Sequence, residues 1–163
     1  MPELTIIGDL GNATFINCTS LESIVLNNTS GGYCVFEGCT SLINATVSVL
    51  GERMFQGCSS LTNVTLSAEI DNIPNHCFYD CSLLNSVNII GEINNVEEYA
   101  FYNCGELEGF DLTTVKGIIN IYAFANSGLK EISFAEGVTI YSYAFKDLDN
   151  KVTANILNDF NPE

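Results

Sequence analysis

Positive charge is the scarcest property of this sequence. Of 163 residues only Arg53, Lys116, Lys130, Lys146 and Lys151 are basic, against 20 acidic ones, for a formal net charge of −15. The acid is spread along the chain and not gathered into a tail. A surface of this sign repels phosphate and anionic headgroups, which argues against nucleic acid and membrane surfaces as partners. Its plainest role is to keep the protein solvated. Histidine is almost as scarce, with His76 alone. There is no Gly-x-Ser-x-Gly nucleophile turn and no glycine-rich phosphate loop, and the many carboxylates show no spacing that pairs two across a cleft. The expectation is therefore that the chain is not an enzyme and carries no cofactor. Long apolar runs are also missing, so no membrane insertion is expected. Met1 runs straight into "PELTII" without a signal-peptide pattern, a start that says little about export.

What is present is a repeat. In "FQGCSSLTNVTL", residues 55 to 66, the apolar positions Phe55, Cys58, Leu61, Val64 and Leu66 are spaced by threes and then by two. Aligned on the phenylalanine, the pattern recurs at Phe15, Phe36, Phe55, Phe78, Phe101, Phe124 and Phe145, at intervals of 21, 19, 23, 23, 23 and 21 residues. Cys18, Cys39, Cys58, Cys81 and Cys104 follow three residues later, and Leu21, Leu42, Leu61, Leu84 and Leu107 three after that. Ser127 takes the cysteine place in the sixth repeat. Five residues before the phenylalanine stand Leu10, Leu50, Ile73, Val96, Ile119 and Ile140, with Gly31 as the exception.

A unit of this length cannot enclose its own apolar side chains, so it must stack on its neighbours. Each column then becomes a ladder in one elongated core. The spacing of threes predicts a turn or short helical segment, and the final two a short strand. Strands of successive coils are expected to pair in parallel, eight in a row, about 4.8 Å apart. The fold class expected is a solenoid of seven to eight coils, with a parallel β-sheet on one face and short strands, turns or 3-10 segments on the other. It is expected to form one domain over 1–163, with 149–163 as a C-terminal cap or tail.

The segments "AFYNCGELEGFDL", "FQGCSSLTNVTL" and "FEGCTSLINATV" resemble the BspA-like (TpLRR class) leucine-rich repeats. The resemblance extends from about Met1 to Leu148. Three features depart from the family pattern: few prolines after the strands, Gly31 in an apolar column, and no cysteine in the last two coils. The resemblance implies a leucine-rich repeat solenoid acting as a non-enzymatic protein-interaction module. It further implies adhesion or partner binding by a microbial surface or secreted protein, with a cytoplasmic scaffold or a virion component as the alternative. No catalytic residue is carried over, because the family shares no catalytic site.

Five of the seven cysteines share one interior column, which reads as a reduced packing ladder and not a disulfide framework. His76, Cys77 and Cys81 form the one tight group of soft ligands, but no second pair at matching spacing completes a zinc site, so no metal is expected. Asn-x-Ser/Thr, which would mark glycan acceptors in a secretory pathway, occurs at Asn12, Asn17, Asn27, Asn28, Asn44 and Asn63, and the richness in Asn, Ser and Thr accounts for these triplets. The candidate partner-binding face is the outward side of the sheet: Val25, Thr46, Thr65, Asn88, Asp111 and Ser133, flanked by residues such as Asn63, Glu108 and Glu131. It is polar and partly acidic, lacks aromatic anchors, and suits a protein or a glycan partner.

Overall fold

The computed structural model describes residues 3–27, 30–68, 70–148 and 153–155. Met1, the acceptor Asn28 and all of the expected 149–163 cap except 153–155 lie outside these. Among the described residues there are eleven strands: β1 (Glu3–Ile7), β2 (Ser23–Asn27), β3 (Asn44–Val47), β4 (Asn63–Leu66), β5 (Asn72–Ile73), β6 (Ser86–Asn88), β7 (Ile93–Val96), β8 (Val115–Ile119), β9 (Glu131–Ser133), β10 (Thr139–Ile140) and β11 (Thr153–Asn155). Every pairing between them is parallel. The chain is a solenoid of short parallel rungs, with one 3-10 turn, Leu112–Thr114, among the described residues.

The "LxxVxL" segment makes the first sheet, in the order β1-β2-β3-β4-β6. Ile24, Ala45, Val64 and Val87 stand in register and are buried, as are Leu26, Val47 and Leu66. The alternation follows from the pleat, which sends successive side chains to opposite faces.

The row of eight strands expected from the sequence does not form. The first sheet ends at β6, beyond which Ser86 makes a single bridge to Gly109. In the fifth coil Asp111 caps the 3-10 turn instead of continuing the strand. Its Oδ1 accepts from Thr113 N at 3.0 Å and from Thr113 Oγ1 at 2.6 Å, and Thr114 Oγ1 donates to Asp111 O at 2.7 Å. An Asp followed by two threonines gives the backbone a local set of hydrogen bonds that competes with the ladder. In the sixth coil β9 pairs with β11 alone.

A second sheet, ordered β10-β8-β7-β5, lines another side of the later coils. It is built on the column before the phenylalanine: Ile73, Val96, Ile119 and Ile140 lie in register.

Between the sheets runs the core. The seven phenylalanine rings stack with centroids 5.1 to 5.6 Å apart and planes within 11° of parallel. Beside them each cysteine thiol donates to the phenylalanine carbonyl of the preceding coil: Cys39, Cys58, Cys81 and Cys104 Sγ reach Phe15, Phe36, Phe55 and Phe78 O, each at 3.1 Å. A small side chain with a weak donor fits this place. All seven cysteines are free. Burial raises the thiol pKa at Cys39 to about 11 and pushes Cys81 far above its ordinary value.

The turn carrying the phenylalanine is itself stitched from coil to coil. Phe55 N donates to Cys77 O at 2.9 Å, and Phe78 N to Ala100 O at 2.8 Å, so these amides find partners without a helix. Each turn places two residues in the left-handed region, two before and two after the phenylalanine. The later position holds Asn17, Gly38, Gly57, Asp80, Asn103, Asn126 and Asp147, the types that adopt it at least cost. The earlier one holds Ala13, Cys34, Arg53, His76, Tyr99, Tyr122 and Tyr143.

Candidate functional site: a cleft at the break in the sheet

Val25, Thr46, Thr65 and Asn88 occupy the middle outward position of β2, β3, β4 and β6 and are paired directly, rung to rung. The first three are half-exposed and Asn88 is exposed. Polar side chains next to them bond along the sheet: Ser86 Oγ donates to Asn63 Oδ1 at 2.9 Å, and Asn63 Nδ2 to Thr62 Oγ1 at 3.0 Å. The amide of the acceptor Asn63 is thus already engaged. Asn12 is engaged too, accepting from Tyr33 N at 3.1 Å.

Asp111 does not join this row, because the cap draws it away from the ladder. Ser133 lies on β9, in a different sheet. The interruption nevertheless brings three of the six candidates together. Asn88, Asp111 and Ser133 line one open depression of about 570 Å³, with Glu108 and Glu131 on its walls and Val87, Ile89, Phe110 and Leu112 contributing apolar surface. Phe110 is held edge-on between Phe101 and Phe124, with both centroids at 5.0 Å. Glu108 is bound by Lys130, whereas Glu131 makes no ion pair with any described residue. Val25, Thr46 and Thr65 lie outside the depression. Sequence periodicity cannot find such a feature, because it arises where the period fails.

The soft-ligand group is dispersed by burial. Cys77 and Cys81 are buried in the core, while the His76 ring stacks on Tyr99 at 5.0 Å. Desolvation, and then Arg53, lower the pKa of His76. Among the described residues no group of three His, Cys, Asp or Glu side chains is gathered closely enough to hold a metal ion. Nor is any described helix long and apolar enough to cross a membrane. The His76–Tyr99 pair begins a stack that runs on through Tyr122 to Tyr143 at 5.0 and 5.2 Å. A second pair, Tyr79 and Tyr102, lies beside it at 5.1 Å.

The coil-to-coil ladders of Phe, Cys and Leu agree with the sequence comparison. A family model described as "BspA type Leucine rich repeat region (6 copies)" matches residues 4–104 and 42–152. The chain belongs to the BspA-type leucine-rich repeat family. A comparison with curated proteins found no match. Among solved structures, the chain is similar to a leucine-rich repeat protein from Eubacterium ventriosum, with 27% identity and a TM-score of 0.66 over 74% of this chain and 34% of that one. It also resembles a leucine rich cell surface protein from Faecalibacterium prausnitzii, with 22% identity and a TM-score of 0.70 over 95% of this chain and 48% of that one. A leucine-rich repeat protein from Bacteroides ovatus shares 18% identity and a TM-score of 0.61 over 96% of this chain and 54% of that one. The last two likenesses are of fold alone. This BspA-type chain spans between a third and about half of these relatives' lengths.

Proposed function

We propose that this BspA-type chain is a non-enzymatic protein-interaction module whose partner lies across the outward face of the first sheet. The observation that carries the proposal is the register: Val25, Thr46, Thr65 and Asn88 repeat rung by rung on a surface that the stacked core holds rigid. A preformed surface lowers the ordering cost of association. Membership of a leucine-rich repeat family supports protein binding in general. Adhesion at a cell surface or outside the cell is the finer reading, supported by one fold neighbour, the leucine rich cell surface protein from Faecalibacterium prausnitzii. The acidic balance suits a neutral or basic partner, with association slowing as salt rises.

The test is Val25→Arg, Thr46→Arg and Thr65→Arg combined, which places bulk and positive charge on three adjacent rungs. With the far-ultraviolet spectrum unchanged, the variant is expected to lose a partner that the parent captures from the native source and binds again when purified. Undiminished binding by the folded variant overturns the sheet face as the site.

A further inference from the structure

The depression beside β6 differs in chemistry from the sheet face that leads to it. Its apolar side is Val87, Phe110 and Leu112, each at most 7% exposed, and the rings either side of Phe110 hold it in place. Its rim carries three carboxylates, Glu108, Asp111 and Glu131. Lys130 neutralises the first, and the cap fixes the second through Oδ1. The third faces no described cation. The cleft therefore keeps an excess of negative charge over an apolar floor.

That combination selects its occupant. A bare metal ion needs ligands drawn together around one point, and among the described residues these carboxylates are not so gathered. Spread acceptors fit a cation that is itself spread out. A guanidinium offers five donors in a plane, is weakly hydrated, and rides on a methylene stem that packs against apolar surface. An ammonium is a compact and strongly hydrated point charge, and matches the floor less well. At about 570 Å³ the cleft lies within the ordinary range of binding clefts, roughly 300–1,000 Å³, and holds one such side chain with the backbone on either side of it. It opens where the in-register row stops at Asn88, so a segment lying along the sheet face reaches it without turning away.

We infer that the cleft seats an arginine side chain of an extended segment in a protein partner; this rests on the sheet-face reading above. The probe is a blocked Gly-Ser-Arg-Ser-Gly peptide, with citrulline and lysine counterparts, titrated at low salt into the full chain while amide shifts are followed by NMR. The arginine peptide is expected to move the amides of Gly109, Asp111, Glu131 and Ser133 saturably. The citrulline peptide, which lacks the charge, is expected to bind about tenfold more weakly, as loss of one charge-assisted hydrogen bond implies. Glu131→Gln, an exposed substitution that leaves the fold unchanged, should weaken the arginine peptide severalfold and leave the citrulline peptide unaffected.

No saturable shift overturns the inference, and so does equal binding of the citrulline peptide. Equal binding of the lysine peptide removes the guanidinium assignment. Saturable shifts with cellotriose alone would assign the cleft to a glycan, and concentration-dependent shifts without any peptide would assign it to a second copy. The triple sheet variant alters only residues outside the cleft. Partner loss in that variant with a silent peptide titration removes the arginine and leaves the sheet face standing. Partner binding retained there, with the peptide bound, does the reverse.

Discussion

The first three turns and the later ones solve one packing problem with different backbones. Phenylalanines are 21 and 19 residues apart at the start and 23 apart through the middle. The longer turns lay down the extra strands β5, β7 and β8, and the second sheet sets their spacing by hydrogen bonds. The early turns, ending at Phe36 and Phe55, have no such strand among the described residues, and their backbones close up instead. A Cβ on Gly32 would stand 2.5 Å from Gly11 O, and one on Gly51 2.2 Å from Gly32 O. The corresponding places in later turns hold Pro74, Glu97, Asn120 and Tyr141. Gly31, the exception in the apolar column, belongs to the same region. A Cβ there would meet Met54 Cε at 2.9 Å and Val49 Cγ1 at 3.3 Å, so those side chains already fill its space. Turn length alone does not decide which coils have a second-sheet strand and which a close backbone contact. The 21-residue turn ending at Phe36 has no such strand among the described residues while the 21-residue turn ending at Phe145 carries β10, and a Cβ on Gly117 or Gly128 in the later turns would also meet backbone oxygen, at 2.5 and 2.4 Å.

The largest effect should come from the ring stack, which both regions share. Phe101→Ala and Phe36→Ala each remove a fully buried ring and should cost about 3–5 kcal/mol. Phe101 also loses its edge contact with Phe110, so it should exceed Phe36 by about 1 kcal/mol. Urea midpoints check this, and an equal loss would show that the later region gains nothing from that contact.

Next comes the glycine contrast. Gly51→Ala drives a methyl into a backbone oxygen and should cost about 2–3 kcal/mol. Gly105→Ala, whose nearest neighbour outside its own segment is Ser82 O at 4.0 Å, should stay within about 0.5 kcal/mol. Equal losses in the same titration would show that the close backbone approach at Gly51 is relieved in solution.

The smallest concerns Ser127, in one of the two cysteine places of the later turns that lack a thiol. Its hydroxyl is buried without a hydrogen-bond partner. Ser127→Ala should therefore raise stability by about 1 kcal/mol, seen as a higher urea midpoint. A fall would show that the hydroxyl is satisfied in solution.

The columns were legible because they are local and repeated. Phe, Cys and Leu at fixed offsets give the coil, its core and the family, and alternation gives the outward residues Val25, Thr46, Thr65 and Asn88. The second sheet was written in the column of Ile73, Val96 and Ile119, but a lone apolar position before a turn does not declare a strand. The Asn, Asp and Gly two places after the phenylalanine were also readable, as residues suited to a left-handed turn. The column of Tyr99, Tyr122 and Tyr143 was equally readable, at intervals of 23 and 21 residues, and the structure shows that its rings stack.

The solenoid, the seven rings of its spine, its acidic surface and the outward side chains of β2, β3, β4 and β6 follow from the order of residues alone, because nearest-neighbour stacking turns a linear period directly into space. Where the first sheet stops depends instead on a competition settled in three dimensions. Asp111 has the offset of an outward strand residue, but local hydrogen bonds from Thr113 and Thr114 outcompete one more rung. From that competition come the cleft, the company Asp111 keeps with Asn88 and Ser133, and the separation of β9 from the sheet it was expected to extend.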